Sequence, residues 1–411
     1  MEDQAVGPPI ARSRDDTNPM RRPSDLPRIS ARGPRGEATV ARGDVLSWPQ
    51  GFVAEADDRD SLHVLLGLAS MTPRRLLELA QDHPTARGCL DAIARGVSGS
   101  PADQTAARES VPAHAVERAR AADARLVAVG DREYPQALLH LFDPPAGLFV
   151  VGHPLDRATQ RVAIVGARNC SPSGREMSET LGQQAARAGV TVVSGGARGI
   201  DAAAHYGAFG GASTRATPTI AVLGCGVDVP YPKANRALLA RIAGEGSLVS
   251  EYPPGTPAEP FRFPARNRIV AGLSRAVVVV EGTSASGSLT TAEFALELGR
   301  DVFAVPGPPY SELASAPLEL IREGATLIRG PEDLLADLGL GHPTIDPTGA
   351  EAIPTGLSVS ELSVWKALAS PSPVDLVQRT AGLPLTEVLA ALAGLELRGL
   401  AVGSGGRYRR P

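Results

Sequence analysis

The sequence is poor in residue types that many enzyme and binding-site classes require. Its 411 residues include three cysteines, two lysines among 41 basic residues, and only 4% aromatic residues. Cys89, Cys170 and Cys225 form no CxxC pair and are odd in number, so neither a disulfide framework nor a zinc site is indicated. The formal net charge of −4 provides no overall positive field that would draw the chain to nucleic acid.

Membrane, secretion and nucleotide-binding signals are also missing. No apolar run approaches the roughly 18 residues of a membrane span, and the first residues lack the apolar core of a secretion signal. We therefore expect a cytoplasmic protein with no membrane contact. Lys233 and Lys366 are both followed by alanine, which excludes the P-loop motif GxxxxGK[ST]. The dinucleotide motif GxGxxG and the metalloprotease motif HExxH do not occur either, so we expect no cofactor and no metal.

What the sequence does contain is a repeated unit of strand, glycine turn and helix between residues 162 and 325. Examples are VAIVGARNCSPSG, VVSGGARGIDAAAH and IAVLGCGVDVPYPKANR. The run AVVVV at 276–280 has no polar face, which is typical of a parallel strand covered by helices on both sides. The pattern predicts an α/β fold with a doubly wound parallel sheet. In such sheets the ligand lies beyond the carboxyl ends of the strands.

Glycines and cations are concentrated in these turns. Residues 160–280 contain 13 Arg and Lys and 7 Asp and Glu, a local excess of six positive charges. Glycine permits close backbone approach, while helix N-termini and guanidinium groups bind phosphate. Tyr231, Phe261 and Phe263 lie among these cations and could stack on bases, although core packing of either phenylalanine remains open. The candidate ligand-binding residues are Gly166, Arg168, Gly195, Arg198, Lys233, Arg266, Asn267 and Arg268.

Composition divides the chain into segments with different expected structures. They are a disordered start (1–55), a helical segment that resembles a SAM or helix-hairpin-helix domain (56–130), the sheet domain (131–340), a linker (341–356) and a segment that resembles a winged helix (357–411). Residues 97–118, inside the helical segment, are polar and are expected to form a loop. For the winged-helix segment, protein contact and DNA contact both remain possible.

The motifs VGARNCSPSG, SGGARGIDAAAH, FPARNRIVAGLS and LIREGATLI resemble those of the DNA-processing protein DprA (Smf) family. The resemblance implies an extended Rossmann fold without catalytic activity. It further implies that the protein binds single-stranded DNA, forms a homodimer and loads the recombinase RecA onto incoming strands during natural transformation. Arg168, Lys233 and the triplet 266–268 match basic motif positions of the family. Ile321 and Arg322 lie in the segment similar to its dimer surface.

Two features leave room for other interpretations. Residues 308–317 lack the small Ser-Gly pattern that usually precedes LIREGA in the family, so we expect a different ligand contact by this loop. The stretch from Ser286 to Glu293 loosely resembles the loop of nucleotide-cleaving, phosphoribohydrolase-like Rossmann enzymes, with Glu293 as a possible acid. That enzyme is the alternative to a DNA-binding protein.

Overall fold

The computed structural model describes residues 46–212, 217–340, 356–368, 372–404 and 407–410. The chain forms two compact units, Met1–Pro343 and Thr344–Pro411. Most of the predicted disordered start and nearly all of the predicted linker lie outside the described residues. In the described part, no single helix is long and apolar enough to cross a membrane, and one helix pair passes that test only with a bend of 107°.

Five helices open the first unit: α1 (Ala56–Leu65), α2 (Pro73–Asp82), α3 (Ala86–Ala94), α4 (Pro101–Glu109) and α5 (Pro112–Ala121). Trp48 and Phe52 lie in the segment that was expected to be disordered (1–55), but they pack with these helices and are buried. Helices α4 and α5 also replace the loop expected at 97–118. Each has a proline in its first turn, where the missing N–H costs no helical hydrogen bond.

A nine-stranded sheet forms the centre of this unit. Its strands are β1 (Arg125–Ala128), β2 (Gly147–Gly152), β3 (Arg161–Val165), β4 (Thr191–Ser194), β5 (Thr219–Leu223), β6 (Ser247–Ser250), β7 (Ala276–Val279), β8 (Asp301–Ala304) and β9 (Thr326–Leu327). The spatial order is β1-β2-β6-β5-β4-β3-β7-β8-β9. The seven strands from β6 to β9 are parallel, whereas β1 and β2 extend the sheet in antiparallel pairing.

Helices cover both faces of the parallel strands. They are α6 (Pro172–Arg187), α7 (Ile200–Gly211), α8 (Arg236–Glu245), α9 (Arg262–Leu273), α10 (Gly287–Glu297), α11 (Ser315–Arg322) and α12 (Pro331–Asp337). Alternate residues of β3 enter different cores: Ile164 packs with Leu181 of α6, and Ala163 packs with Ile269 of α9. The predicted two-sided parallel sheet is therefore present. Strands β4, β5 and β6 lie on one side of β3, and β7, β8 and β9 lie on its other side.

The second unit is small and mixed. It contains α13 (Val359–Ala367), α14 (Val374–Ala381) and α15 (Leu385–Leu397), with the short strands β10 (Ser372–Pro373), β11 (Val402–Ser404) and β12 (Arg407–Arg409) in the order β10-β12-β11. Gly382 adopts a left-handed conformation between α14 and α15, which favours glycine at this position. This element order fits a winged helix, an assignment that stays a prediction.

Candidate nucleic-acid interface

Three predicted cations lie at the same edge of the sheet. Arg168 follows β3, Arg198 follows β4, and Lys233 lies in the connection between β5 and α8. These strands are parallel, so their carboxyl ends open on one side. All three side chains are exposed, and among the described residues no carboxylate forms an ion pair with any of them. We call these three residues the basic edge.

Aromatic rings lie beside the basic edge. The guanidinium carbon of Arg168 lies 5.6 Å from the centroid of the Phe263 ring. Tyr231 stacks on Phe263 with 5.1 Å between centroids and 30° between the ring planes. Tyr231 is 42% exposed, and Phe261 is 66% exposed. The guanidinium group of Arg262 lies near the Phe261 ring. The surface therefore offers both cations and accessible aromatic rings.

Arg266, by contrast, is buried, and its guanidinium group donates hydrogen bonds to backbone carbonyl groups. It is 6% exposed and donates to the carbonyl oxygen of Gly195 at 2.8 Å and to that of Val222. The buried carboxylate of Asp201 accepts from the backbone N–H of Gly195 at 3.1 Å. Burial lowers the pKa of Arg266, an effect that the charge of Asp201 opposes. Direct phosphate contact does not fit this placement, since Arg266 connects the ends of β4 and β5 to α9.

Position 195 has no room for a side chain, so it requires glycine. A Cβ atom there would lie 2.5 Å from the guanidinium nitrogen Nη2 of Arg266 and 2.7 Å from the Oδ2 atom of Asp201. Gly166 is similar, because its Cβ would lie 2.6 Å from the carbonyl oxygen of Glu281. Both predicted glycines therefore permit close internal packing at the carboxyl edge.

Arg268 is also buried, and it joins two carboxylates. Its Nη2 atom donates to both carboxylate oxygens of Glu251, at 2.8 and 2.7 Å, and its Nε atom lies 3.1 Å from Asp143. Burial raises the pKa of Glu251 and that of Asp143. Because the guanidinium is 5% exposed and paired, it does not lie where a DNA phosphate could reach it. The neighbouring Asn267 donates from its amide nitrogen to the carbonyl oxygen of Gly287, at 3.1 Å.

Glu281, for which no role was expected, connects the end of β7 to the turn after β3. Its carboxylate accepts from the backbone N–H of Ser171 at 2.8 Å and from the Ser171 hydroxyl at 2.5 Å. Ser171 is the N-cap of α6, and a Cβ on Gly174 in the first turn would overlap the same carboxylate. Doubly wound sheets that bind dinucleotides place a phosphate at the corresponding helix N-terminus. An acidic residue directly after an apolar strand was the available sequence signal.

The alternative catalytic residue, Glu293, lies elsewhere. It lies six residues after Gly287, the first residue of α10, which is about 9 Å along the helix axis. It is half-buried, and its pKa is raised by burial and by the charges of Glu297 and Glu323. It therefore does not lie with the candidate residues at the strand ends.

The predicted dimer residues lie next to β9, the strand that forms one lateral edge of the sheet. Ile321 is half-buried and Arg322 is exposed at the end of α11, just before the edge strand β9. In the unusual loop 308–317, the carbonyl oxygen of Leu313 accepts from the backbone N–H of Gly282 at 2.7 Å. Tyr310 in this loop is 99% exposed.

Comparison with known proteins agrees with the motif resemblance. The family model described as DNA recombination-mediator protein A matches residues 125–339. The putative DNA processing protein DprA of Mycobacterium tuberculosis strain H37Rv is 37% identical, over 78% of this chain and 86% of that protein. Protein Smf of Escherichia coli is 39% identical, over 69% and 77% respectively. The X-ray structure of DprA from Streptococcus pneumoniae matches with a TM-score of 0.60 and 36% identity, covering 69% of this chain and 98% of that one.

Proposed function

The chain belongs to the DNA recombination-mediator protein A family, and on that premise we propose that its carboxyl-edge surface binds single-stranded DNA. The observation that carries the proposal is the basic edge: three exposed cations from three turns, with no described ion pair, beside exposed aromatic rings. Cations along a groove attract the phosphate backbone, and stacking on aromatic rings requires bases that are not already paired. The combination favours single strands over duplexes.

The test is a comparison of labelled single- and double-stranded oligonucleotides in a fluorescence anisotropy titration. We expect clearly tighter binding of the single strand. Tyr231→Ala should reduce single-strand affinity, because loss of one base stack costs about 1–3 kcal/mol. Tyr206→Ala is the matched control, since Tyr206 is similarly exposed but lies on α7. Equal affinity for both DNA forms would contradict the proposal.

The proposed role of this binding is to protect incoming strands and to help RecA assemble on them during natural transformation, in the cytoplasm. Membership in a recombination-mediator family and the absence of a P-loop motif support a role without ATP hydrolysis by this chain. A strand-exchange assay on DNA precoated with single-strand-binding protein tests it. Added protein should stimulate RecA, and no stimulation would remove the mediator role even if DNA binding were established.

We further propose a homodimer that uses the sheet edge near Ile321 and Arg322. Support comes from β9, an edge strand whose two residues are exposed, with Leu327 at 44%. An unprotected edge strand is a ready surface for pairing. Light scattering coupled to gel filtration should give twice the chain mass, and Arg322→Glu should shift it towards the monomer. A monomeric wild-type protein would rule out this part of the proposal.

For the second unit we propose protein contact rather than DNA contact. Helix α15 exposes Leu385, Leu389 and Leu397, the last at 90%, and its exposed Glu387 adds negative charge. Apolar side chains with a carboxylate suit a protein partner better than a phosphate backbone. Duplex and single-strand affinity should both be unchanged in Leu389→Glu.

A further inference from the structure

Phe142 is an exposed aromatic residue outside the basic edge. It follows the 3₁₀ turn Gln136–His140, and 77% of its surface is exposed. The guanidinium carbon of Arg74, on α2, lies 4.5 Å from the centroid of its ring. An ion pair of 2.8 Å with Glu78 on the same helix orients Arg74. The ring is therefore held on one side by a cation and is otherwise in solvent.

Contacts connect Phe142 to the carboxyl edge of the sheet. The adjacent residue Asp143 lies 3.1 Å from Arg268, which in turn binds Glu251. Glu251 directly follows β6, and β6 is parallel to β5, so it is at the same edge as the turn after β5. Three strand spacings, about 14 Å, separate β3 from β6 across the sheet. The surface around Phe142 thus continues the line of the basic edge beyond β6.

A third site of arginine–aromatic contact lies between the basic edge and Phe142. Tyr252 follows Glu251, and the guanidinium carbon of Arg262 lies 5.1 Å from its ring centroid and 5.2 Å from that of the exposed Phe261. The same combination of arginine and ring therefore recurs from Arg168 and Phe263, through Arg262 and Phe261, to Arg74 and Phe142. Rings supported by guanidinium groups are suited to stacking with nucleic-acid bases.

We propose that Arg74 and Phe142 form a second base-stacking platform, through which the N-terminal helical segment binds the continuation of the single strand held at the basic edge. This inference rests on the proposed single-strand binding. Its contribution is stacking rather than phosphate contact, because Glu78 and Asp143 offset the positive charge of Arg74 locally. The platform therefore adds affinity only for strands long enough to reach it, and adds no salt dependence.

The experiment measures affinity for labelled oligothymidylates of about 6 and about 16 nucleotides, two lengths within the range of about 4–16 nucleotides covered by single-strand-binding folds. Phe142→Ala should lower affinity for the long strand by at least about fivefold, the lower end for loss of one base stack. Affinity for the short strand and the salt slope should not change. Leu139→Ala, an exposed apolar residue of the preceding turn, is the matched control and should bind both strands normally.

The outcomes separate this inference from the proposed function. Because the ring is mostly exposed, Phe142→Ala should melt at the wild-type temperature, so lost affinity is not lost folding. Unchanged affinity of Phe142→Ala for the long strand overturns the platform while leaving the basic edge intact. Equal losses on both lengths also overturn it, since Phe142 would then act at the basic edge itself. If the wild-type protein binds neither strand, the proposed function fails and the platform with it.

Discussion

Replacing Arg266 by methionine tests whether this residue stabilises the fold or binds DNA. The substitution would leave the buried carboxylate of Asp201 without its nearby cation, and would remove the hydrogen bonds that Arg266 donates to the carbonyl groups of Gly195 and Val222. Losing two hydrogen bonds from a charged donor, together with the charge that compensates a buried carboxylate, costs about 3–5 kcal/mol. Unfolding entropy is about 2.1 cal/mol/K per residue, so for this unit of roughly 290 residues 1 kcal/mol changes the melting temperature by about 1.6 °C, which gives a decrease of about 5–8 °C.

The matched control is Arg168→Met, on the neighbouring turn. Arg168 is exposed and has no described ion pair, so its loss should change stability by no more than about 0.5 kcal/mol. Thermal unfolding followed by circular dichroism, without DNA, gives the melting temperatures. Salt titrations on single strands, below the melting transition, then give the slopes. We expect Arg168→Met to flatten the slope by about 0.7 and Arg266→Met to preserve it. Wild-type melting of Arg266→Met, together with a flattened slope, would refute the structural role.

Three further predictions test other parts of the molecule. Arg168→Glu and Lys233→Glu should weaken single-strand binding and flatten its salt dependence. Arg398→Glu in the second unit is the control and should do neither. Unchanged salt slopes for the first two variants would place the DNA site elsewhere. A chain ending at Leu340 should stay folded and retain most single-strand affinity by gel shift, and loss of binding would make the second unit the DNA reader. Burial lowers the pKa of His205 to about 3. Since the unfolded residue titrates near pH 6.5, stability should fall as the pH decreases from about 6.5 towards 3, by up to about 1.4 kcal/mol per unit, and urea unfolding of His205→Gln should show a shallower pH dependence.

The central fold could be predicted because its signals are local. Each parallel strand is a short apolar run followed by a turn, and this pattern depends only on neighbouring residues. The antiparallel strands β1 and β2 were not distinguished, since a strand at the start of a sheet domain lacks the repeated helix that marks the others. Family membership confirms the motif resemblance, and with it the prediction of a recombination mediator rather than an enzyme.

The candidate site was predicted less completely, for a physical reason. Arg168, Arg198 and Lys233 are exposed where the turns were expected to open. Arg266 and Arg268 come from an equally basic motif, but they lie on the parts of α9 that pack against the sheet and a neighbouring loop. Which side of a helix is buried depends on tertiary packing, and basic residues in sequence do not reveal internal carbonyl or carboxylate partners.

The carboxylate of Glu281 also affects competition between ligands. Mononucleotides carry phosphate groups like those of DNA, so they are natural competitors for a phosphate-binding site. At the α6 N-terminus such a nucleotide would have to displace a tethered anion that already has two hydrogen-bond donors from Ser171. The tether gives Glu281 a high effective concentration that a freely diffusing competitor must overcome. A DNA strand bound at the exposed turns would not have to displace Glu281, so mononucleotides need not interfere with its binding.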